Sequence, residues 1–387
     1  MSFRGFDLPD ELRDVSRTVE TFVRREIVPA ENDLDPGATE LPAGPLAALQ
    51  AKARAAGFWC FDTPESYGGC GLSTFASSVV TEQAAKHKFC FPFHGGGVFG
   101  YDPPAILLKG SRRQIEKYVL PAVEHGHPVF TAISEASGGS DPARAIRTTA
   151  VRKGASYVLS GHKMWASNAD SAPYGIVFAR TGPGRAGISA FIVESGLPGV
   201  STRPIHVIRD HHSAELVLDA CEVPAGNLLG AEGQGFDIAQ QWLIRGRIRL
   251  AAHCVGLAEE SLRLGIEWAS QRETFGAMLS TRQAVQFALA DIRVEVNAAR
   301  HLVWEAAWAL DQGRDARTAA SIAKLYATEA AGRAVDSVMQ ILGGMGMAKE
   351  MPLERWYRGL RVWRVGDGPS EVHRVLIARE LLNRKAS

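Results

Sequence analysis

The stretch FDIAQQWLIRGRIRLAAHCVGLAEESLRLGIEWASQRE, residues 236–273, repeats apolar residues at helical spacing over about nine turns, and the pattern breaks only near Phe275 and Gly276. Two further long helical patterns follow, at residues 281–313, where Gly313 is expected to end the helix, and at residues 316–344. Long helices with wide apolar stripes must bury those stripes against one another. The sequence therefore predicts a helical bundle domain at residues 236–387.

Upstream of this bundle the sequence pattern changes twice. Residues 128–235 contain short β-branched runs separated by Gly, Pro and Asn, which predicts a central β-domain. The predicted strands are VFTAIS (129–134), SYVLSG (156–161), YGIVFAR (174–180), GISAFIVE (187–194) and AELVLDACEVP (214–224). Residues 1–127 contain four helical patterns, of which the first is expected to end at Pro29 and the third to begin with Ser73 as its N-cap. We therefore expect an α+β chain with domains 1–127, 128–235 and 236–387.

Composition excludes several classes of protein. The 43 basic and 42 acidic residues nearly balance, which argues against a nucleic-acid-binding protein or a disordered tail. The first residues, MSFRGFDLPDELRD, show no export signal, and no uncharged apolar run reaches about 18 residues, so no membrane partner is expected. The 5 cysteines form no CxxC pair and the 11 histidines show no HExxH spacing. We expect no disulfide framework, no metal site and a cytoplasmic location.

Two segments of the predicted β-domain have side chains suited to a flat ligand. The segment SEASGGSD, residues 134–141, follows a strand and can present backbone N–H groups and hydroxyls to an anionic or heteroaromatic group. In GHKMWASNAD, residues 161–170, the Trp165 indole can cover one face of a ring while the Ser167 hydroxyl bonds a ring heteroatom. Taken alone, the first segment is also compatible with an ordinary loop, and the second with a core tryptophan near a turn.

The predicted bundle carries three further candidates. Arg272 in QRETFG, residues 271–276, offers a forked donor suited to pyrophosphate, and the glycines of QILGGMG, residues 340–346, permit close approach of a ligand. These glycines do not follow a strand in a βαβ unit, so a Rossmann site is rejected. Arg247 can meet a phosphate group or face solvent. In RVWRVGDGPSEVH, residues 361–373, Asp367 lies between two glycines and is either a proton acceptor or part of a simple turn.

Taken in order, these motifs resemble the acyl-CoA dehydrogenase family of flavoproteins. The resemblance covers nearly the whole chain: it also includes PESYGGCGLS (64–73) and RQAVQF (282–287), and the motif at 340–346 extends to QILGGMGMAKEMPLERWYR (340–358). It implies an N-terminal helical domain, a central β-barrel or sandwich and a C-terminal four-helix bundle. It also implies FAD as cofactor, acyl-CoA as substrate, an electron-transfer flavoprotein as electron acceptor, and a homotetramer or dimer.

The resemblance also implies roles for individual residues. Those expected at the flavin ring are Ile133, Ser134, Trp165 and Ser167, with Ser140 at a flavin phosphate or the CoA side. Those expected at the adenosine and pyrophosphate of the FAD held by a neighbouring subunit are Arg272, Phe275, Gln283, Gln340 and Gly344. Those expected to contact the substrate are Arg247, Gly366 and Gly368.

Asp367 matches the position of the family's catalytic glutamate. In the family this carboxylate removes the α-proton of an acyl thioester while the β-hydrogen leaves as hydride to flavin N5. Here residues 366–369, Gly-Asp-Gly-Pro, replace a Tyr-Glu-Gly-Thr-like segment. Aspartate reaches about one C–C bond less far than glutamate, so the backbone or the substrate must close the gap. Gly366 replaces an aromatic residue and is expected to admit a branched, cyclic or otherwise wide acyl group.

Alternatives to this assignment stay open. Some relatives carry their base on the long helix at the position of Gly246, but a glycine cannot serve as a base. Nitroalkane oxidases of the superfamily resemble this chain in using an aspartate, so a flavin oxidase or monooxygenase is the main alternative. A dehydrogenase of a carrier-protein-bound acyl group and a non-catalytic binding protein are the others.

Overall fold

The structure is a computed structural model that describes residues 8–91, 95–211 and 213–383. Residues 1–7, which begin the segment without an export signal, lie outside the described residues. The α-helices are α1 Asp10–Phe22, α2 Val28–Asn32, α3 Ala43–Ala55, α4 Thr74–Ala84, α5 Arg112–Gln114, α6 Leu120–His125, α7 Pro142–Ala145, α8 Gly235–Gln271, α9 Gln283–Asp311, α10 Arg317–Leu342, α11 Gly344–Met347, α12 Leu353–Trp363 and α13 Ser370–Asn383.

The strands form one large sheet and one short hairpin. They are β1 Phe130–Ala132, β2 Thr149–Lys153, β3 Ser156–Ala166, β4 Tyr174–Arg180, β5 Ile188–Glu194, β6 Val200–Ile205, β7 Ser213–Pro224, β8 Leu228–Leu229, β9 Glu273–Thr274 and β10 Ala277–Met278. In the sheet the strand order is β6-β7-β3-β2-β4-β5-β8, and β1 pairs in parallel with β4. The hairpin consists of β9 and β10.

The described residues fall into two compact units. The helical unit contains residues 8–58, 72–91, 95–99 and 245–383, and the sheet unit contains residues 59–71, 100–211 and 213–244. Helices α1–α4 and α9–α13 therefore belong to the same unit, and α8 contributes residues to both. The domain bounds 1–127, 128–235 and 236–387 stay predictions.

Within the sheet unit, both faces of the sheet are buried. On β4, Ile176 and Phe178 join one apolar cluster, and the alternate residues Val177 and Ala179 join the other. A strand buried on both sides has no polar face, which accounts for the continuous apolar runs of β4 and β5. The runs that predicted strands at 174–180 and 187–194 thus mark the centre of this unit.

Five strands were not predicted from the sequence: the two-residue strands β8, β9 and β10, and the longer strands β2 and β6. β2 has the sequence TAVRK and β6 has VSTRPI, and most of their residues are exposed or half-buried. Each is held by backbone pairing to a more apolar neighbour, β2 to β3 and β6 to β7. Strand formation here depends on the neighbouring strand and not on an apolar pattern.

The predicted end of the first helix at Pro29 is wrong. The helical backbone continues from α1 through a π-helical turn, Val23–Ile27, into α2, which contains Pro29 in its first turn. Proline has no N–H to donate and its ring clashes with a carbonyl one turn earlier in a regular α-helix. The wider π-turn just before Pro29 relieves both problems.

Two predicted helix ends are confirmed. The Ser73 side chain accepts a hydrogen bond from Ala76 N at 3.2 Å and caps α4. Gly313 adopts φ 67° just after α9, and its N–H donates to Leu310 O at 3.0 Å. Both ends follow from local backbone chemistry, which a sequence can show directly.

The C-terminal helices pack through small side chains. Helix α10 contacts α9, α12 and α13, and its buried residues include Ala320, Ala323, Ala327, Ala330, Ala331 and Ala334. Alanine allows helix axes to approach closely. The same helix carries one fully buried cation, Lys324. Among the described residues, no helix combines the length and apolar character needed to cross a membrane.

Candidate active site

The predicted base lies in a sharp turn between two helices of the helical unit. Helix α12 ends at Trp363, α13 begins at Ser370, and Asp367 adopts φ 53° between them. A left-handed backbone is uncommon for a residue with a side chain, although aspartate tolerates it better than most. Such a conformation costs on the order of 1–3 kcal/mol and persists only when the surroundings hold it.

Two buried cations hold this turn by its backbone. Arg247 on α8 donates from Nε to Asp367 O at 3.1 Å, and Lys324 on α10 donates from Nζ to Gly368 O at 2.7 Å. Arg247 is 9% exposed and Lys324 is fully buried. Burial lowers the pKa of Lys324 to about 8, although the nearby Asp367 carboxylate acts in the opposite direction. The turn is thus fixed by side chains from two other helices.

The Asp367 carboxylate faces a position without a side chain. Its Oδ2 lies 3.3 Å from where a Cβ on Gly246 of α8 would be. Burial raises the pKa of Asp367, while the charges of Arg247, Lys324 and Arg249 lower it in part. Within residues 8–91, 95–211 and 213–383, no group is recorded as donating a hydrogen bond to this carboxylate. A half-buried carboxylate with a raised pKa and free oxygens is suited to accept a proton.

Three rings cluster next to this turn. His253 lies seven residues after Gly246 on α8, so the two share a helix face. The His253 ring lies 4.6 Å from Trp363 and 5.4 Å from Phe91, centroid to centroid. Burial lowers the pKa of His253 to about 3, which keeps the ring neutral. The sequence analysis missed this cluster and Lys324, because neither belongs to a recognisable motif.

In the sheet unit, the two predicted ring-binding segments lie side by side. Met164 N donates to Ser134 O at 2.9 Å, and Lys163 Nζ donates to Glu135 Oε1 at 2.7 Å. Both members of this ion pair are buried, and Glu135 also accepts from Thr148 N and Oγ1. Burial alone would raise the pKa of Glu135, but these partners lower it overall. The pair therefore joins segments that are 28 residues apart.

The side chains expected at a flavin ring are accessible on these segments. The Trp165 indole is 55% exposed, at φ 64°, and Ile133, Ser134 and Ser167 are half-buried. A Cβ on Gly139 would come within 2.9 Å of Ser134 Oγ, so the missing side chain at position 139 leaves this hydroxyl accessible. Ser140 is exposed. A large indole left half open beside hydroxyls fits a flat heteroaromatic ring.

A cleft of about 360 Å³ lies in the helical unit at the predicted pyrophosphate residues. Arg272 and Gly344 both line it, together with Trp268, Thr274, Leu279, Ile341, Leu342, Gly343 and Met345. A Cβ on Gly344 would meet no described residue within 4 Å, so the packing of the described part of the chain does not require a glycine there. An arginine beside open glycine backbone fits a pyrophosphate.

Three other predicted residues of this group do not line the cleft. Phe275, Gln283 and Gln340 are exposed, and Phe275 is 101% exposed at φ 51°. A phenyl ring held fully in solvent buries no apolar surface within its own chain. Their proposed contact with a neighbouring subunit stays a prediction.

Comparison with known proteins identifies the family of this chain. Residues 9–125, 131–221 and 233–382 match the models for the N-terminal, middle and C-terminal domains of acyl-CoA dehydrogenases. The mitochondrial short-chain specific acyl-CoA dehydrogenase of Mus musculus is 35% identical over 394 residues, which span 98% of this chain and 92% of that protein.

Solved structures share the fold. Acyl-CoA dehydrogenase from Geobacillus kaustophilus has a TM-score of 0.86 at 30% identity, covering 98% of this chain and 100% of that one. The prolyl acyl carrier protein oxidase AnaB has a TM-score of 0.86 at 26% identity, covering 97% and 100%. The expected three-domain fold, with its helical, β and helical domains, is thereby confirmed. This chain belongs to the acyl-CoA dehydrogenase family, whose members are FAD-dependent oxidoreductases acting on CH–CH groups.

Proposed function

We propose that the chain desaturates an acyl-CoA thioester between its α and β carbons, with Asp367 as the base. The observation that carries this proposal is the Asp367 carboxylate itself. Its pKa is raised by burial, its backbone is held by Arg247 and Lys324, and it faces the side-chain-free Gly246. In the proposed step the α C–H bond breaks and its proton moves to Asp367. The released electron pair forms the C=C bond as the β-hydrogen departs with its own pair.

When bound, FAD would supply the hydride acceptor for that β-hydrogen, at N5 of its ring. Ile133, Ser134, Trp165 and Ser167 would hold the ring, and Ser140 a flavin phosphate or the CoA side. Arg272, Phe275, Gln283, Gln340 and Gly344 would hold the adenosine and pyrophosphate of the FAD of a neighbouring subunit. The exposed indole and the arginine-lined cleft support these assignments.

The acyl group is proposed to be branched, cyclic or otherwise wide. Of the described residues outside its immediate chain neighbours, a Cβ on Gly366 would meet Val362 O alone, at 3.7 Å, so packing leaves room for a larger residue there. The small residue therefore leaves space that an acyl group can use. Arg247 and Gly368 remain proposed substrate contacts, although the Arg247 side chain is observed bonding the turn backbone.

The electron acceptor is proposed to be an electron-transfer flavoprotein, and the active form a homotetramer or dimer. The family resemblance supports both. A cytoplasmic location is proposed because all 5 cysteines are free thiols, as expected in a reducing compartment.

A second candidate function is oxidation of an acyl group on a carrier protein. It is favoured by the likeness to the prolyl acyl carrier protein oxidase AnaB along 97% of this chain. A flavin oxidase or monooxygenase of the nitroalkane oxidase kind is the remaining alternative, because such enzymes resemble this chain in using an aspartate as base.

Anaerobic titration of the FAD-loaded protein with straight, branched and cyclic acyl-CoAs tests these proposals. We expect one class of thioester to bleach the visible absorbance of the oxidised flavin, and that class identifies the acyl shape. If flavin is bound stoichiometrically and no acyl-CoA bleaches it, the acyl-CoA proposal is wrong. The same titration with carrier-bound acyl groups, followed by the rate of reoxidation in air, then separates the two alternatives.

A further inference from the structure

A single arginine approaches the predicted flavin-facing hydroxyl in the sheet unit. Arg209 lies between β6 and β7 and donates from Nη2 to Ser167 Oγ at 3.1 Å. The same nitrogen lies 3.4 Å from Ser213 Oγ at the start of β7. No motif in the sequence links Arg209 to Ser167, which is 42 residues away.

The Arg209 guanidinium is poorly compensated by its own chain. Its recorded partners are two neutral hydroxyls, and its buried Nε has no partner among the residues that the structure describes. Burial lowers the pKa of Arg209 to about 10, and among the described residues no carboxylate contributes in the opposite direction. A desolvated cation is costly unless an anion or strong acceptors compensate it. Arg209 therefore has spare capacity for negative charge from outside the chain.

The contact with Arg209 decides how the Ser167 hydroxyl can act. Arginine only donates hydrogen bonds, whereas a serine hydroxyl has one O–H donor and two acceptor lone pairs. Because the guanidinium occupies one lone pair of Ser167 Oγ, the hydroxyl proton must point away from Arg209. The positive charge also draws electrons from the oxygen and makes its O–H a stronger donor.

We propose that Arg209 is a positioning residue that directs the Ser167 hydroxyl toward the flavin ring and raises the reduction potential of the bound FAD. This inference rests on the proposed placement of Ser167 beside N5, which in the oxidised ring is a hydrogen-bond acceptor. Two-electron reduction adds negative charge to the ring, and the stronger O–H donor that Arg209 makes of Ser167 stabilises the reduced form. Arg209 thus acts through Ser167 and needs no contact with the substrate.

The test is the two-electron reduction potential of the FAD-loaded protein, measured against a reference dye, in four variants. Arg209→Gln removes the charge, Ser167→Ala removes the hydroxyl, and a double variant combines them. Arg203→Gln removes an equal charge from an exposed position on β6 and is the matched control. We expect Arg209→Gln to lower the equilibrium constant for reduction about tenfold, which is about 30 mV for two electrons, and Arg203→Gln to leave it unchanged.

The double variant distinguishes positioning from a simple charge effect. If Arg209 acts through Ser167, the two substitutions are not additive, and the double variant matches Ser167→Ala closely. A shift in Arg209→Gln no larger than that in Arg203→Gln overturns the inference. Fully additive shifts overturn it as well.

Failure of this inference can be told apart from failure of the proposed site. If Ser167→Ala changes neither the potential nor the visible flavin spectrum, Ser167 does not face the ring and the site assignment fails. If Ser167→Ala shifts the potential and the visible spectrum while Arg209→Gln changes neither quantity, only the inference about Arg209 is wrong. Should Arg209→Gln not retain FAD, Arg209→Met, which removes both the charge and the donor, replaces it, and an unchanged potential in combination with a shifted Ser167→Ala overturns the inference.

Discussion

The proposed proton transfer depends on one side chain, the Asp367 carboxylate. We predict that Asp367→Asn lowers the rate of flavin reduction by about 10²–10⁴-fold, the usual contribution of a positioned base, while FAD stays bound. Asp367→Glu keeps the carboxylate but moves it by about one C–C bond, and displacement of this order can cost about a hundredfold. Stopped-flow bleaching with the preferred thioester measures both. Equal rates in Asp367→Asn and the parent protein would contradict the assignment.

The same carboxylate is expected to weaken the fold at neutral pH. Burial raises its pKa in the folded state, so the folded protein favours the protonated form. Below about pH 3.9, the pKa of aspartate in the unfolded chain, the carboxyl is protonated in both states and does not lower the free energy of unfolding. The free energy of unfolding then falls as the pH rises through the folded pKa. Asp367→Asn, which stays neutral, should therefore gain in free energy of unfolding relative to the parent as pH rises from about 4 to 7. Urea unfolding at several pH values measures the difference in free energy of unfolding between the two proteins. A difference that does not change with pH would refute the prediction.

Gly246 is predicted to be needed for activity and not for stability. Alanine favours a helix over glycine by up to about 1 kcal/mol, but a Cβ at 246 would lie 3.3 Å from Asp367 Oδ2. We expect Gly246→Ala to lower turnover while leaving the melting temperature unchanged or higher. Gly332→Ala on α10 is the matched control, since its Cβ would meet nothing within 4 Å. Equal activity in the two variants would show that position 246 is remote from the chemistry.

The connection between the segments at 134–141 and 161–170 depends on the buried pair Glu135–Lys163. Removing one member of a buried ion pair leaves an uncompensated charge and costs about 3–5 kcal/mol. We predict that Glu135→Gln lowers the free energy of unfolding by this amount and loosens FAD, because the segments carrying Ser134 and Trp165 lose their link.

Glu116→Gln provides the comparison for that prediction. Glu116 pairs with Arg112 on the surface, and exposed pairs contribute about 1 kcal/mol or less. Chemical unfolding and flavin fluorescence, recorded for both variants, separate a structural link from a general loss of charge. Similar small effects in both would show that the buried pair is not what joins the segments.

The assembly of subunits is predicted to complete the cofactor site. The Phe275 ring is fully exposed and Arg272 and Gly344 line an open cleft, and apolar side chains left in solvent often mark an interface. If Arg272 serves the FAD of a neighbour, mixing Arg272→Ala with Asp367→Asn rebuilds one intact site in each mixed pair. Random pairing in a two-fold dimer then restores about a quarter of the sites. Activity after unfolding and co-refolding the mixture measures this.

The outcome of mixing also reports on the alternative arrangement. If Arg272 acts on the FAD of its own chain, no mixed pair contains a site that is intact, and activity stays at the level of the separate variants. Light scattering on the same samples checks that both variants form assemblies of the same size. Recovery without assembly would contradict the prediction.

Local patterns were enough to predict the long helices and the most apolar strands, but not α12 and α13, which flank Asp367. Helical spacing marked α8, α9 and α10, and turn chemistry placed Ser73 and Gly313, because these features depend on neighbours a few residues away. The strands β2 and β6 and the passage through Pro29 were missed, since each depends on a paired strand or on a widened turn.

The character of the site was decided by contacts between distant parts of the chain. An Asp-Gly pair predicted a turn, but the sequence alone could not show that Arg247 and Lys324, 120 and 44 residues away, would hold its backbone. Nor could it place Arg209 against Ser167. Helical spacing and turn chemistry depend on residues close in sequence, so short stretches of sequence show them. The burial and the pKa of Asp367 depend instead on which helices pack around it. The motifs predicted Asp367 as the base, and the packing around it gives its carboxyl the raised pKa that this proposed role requires.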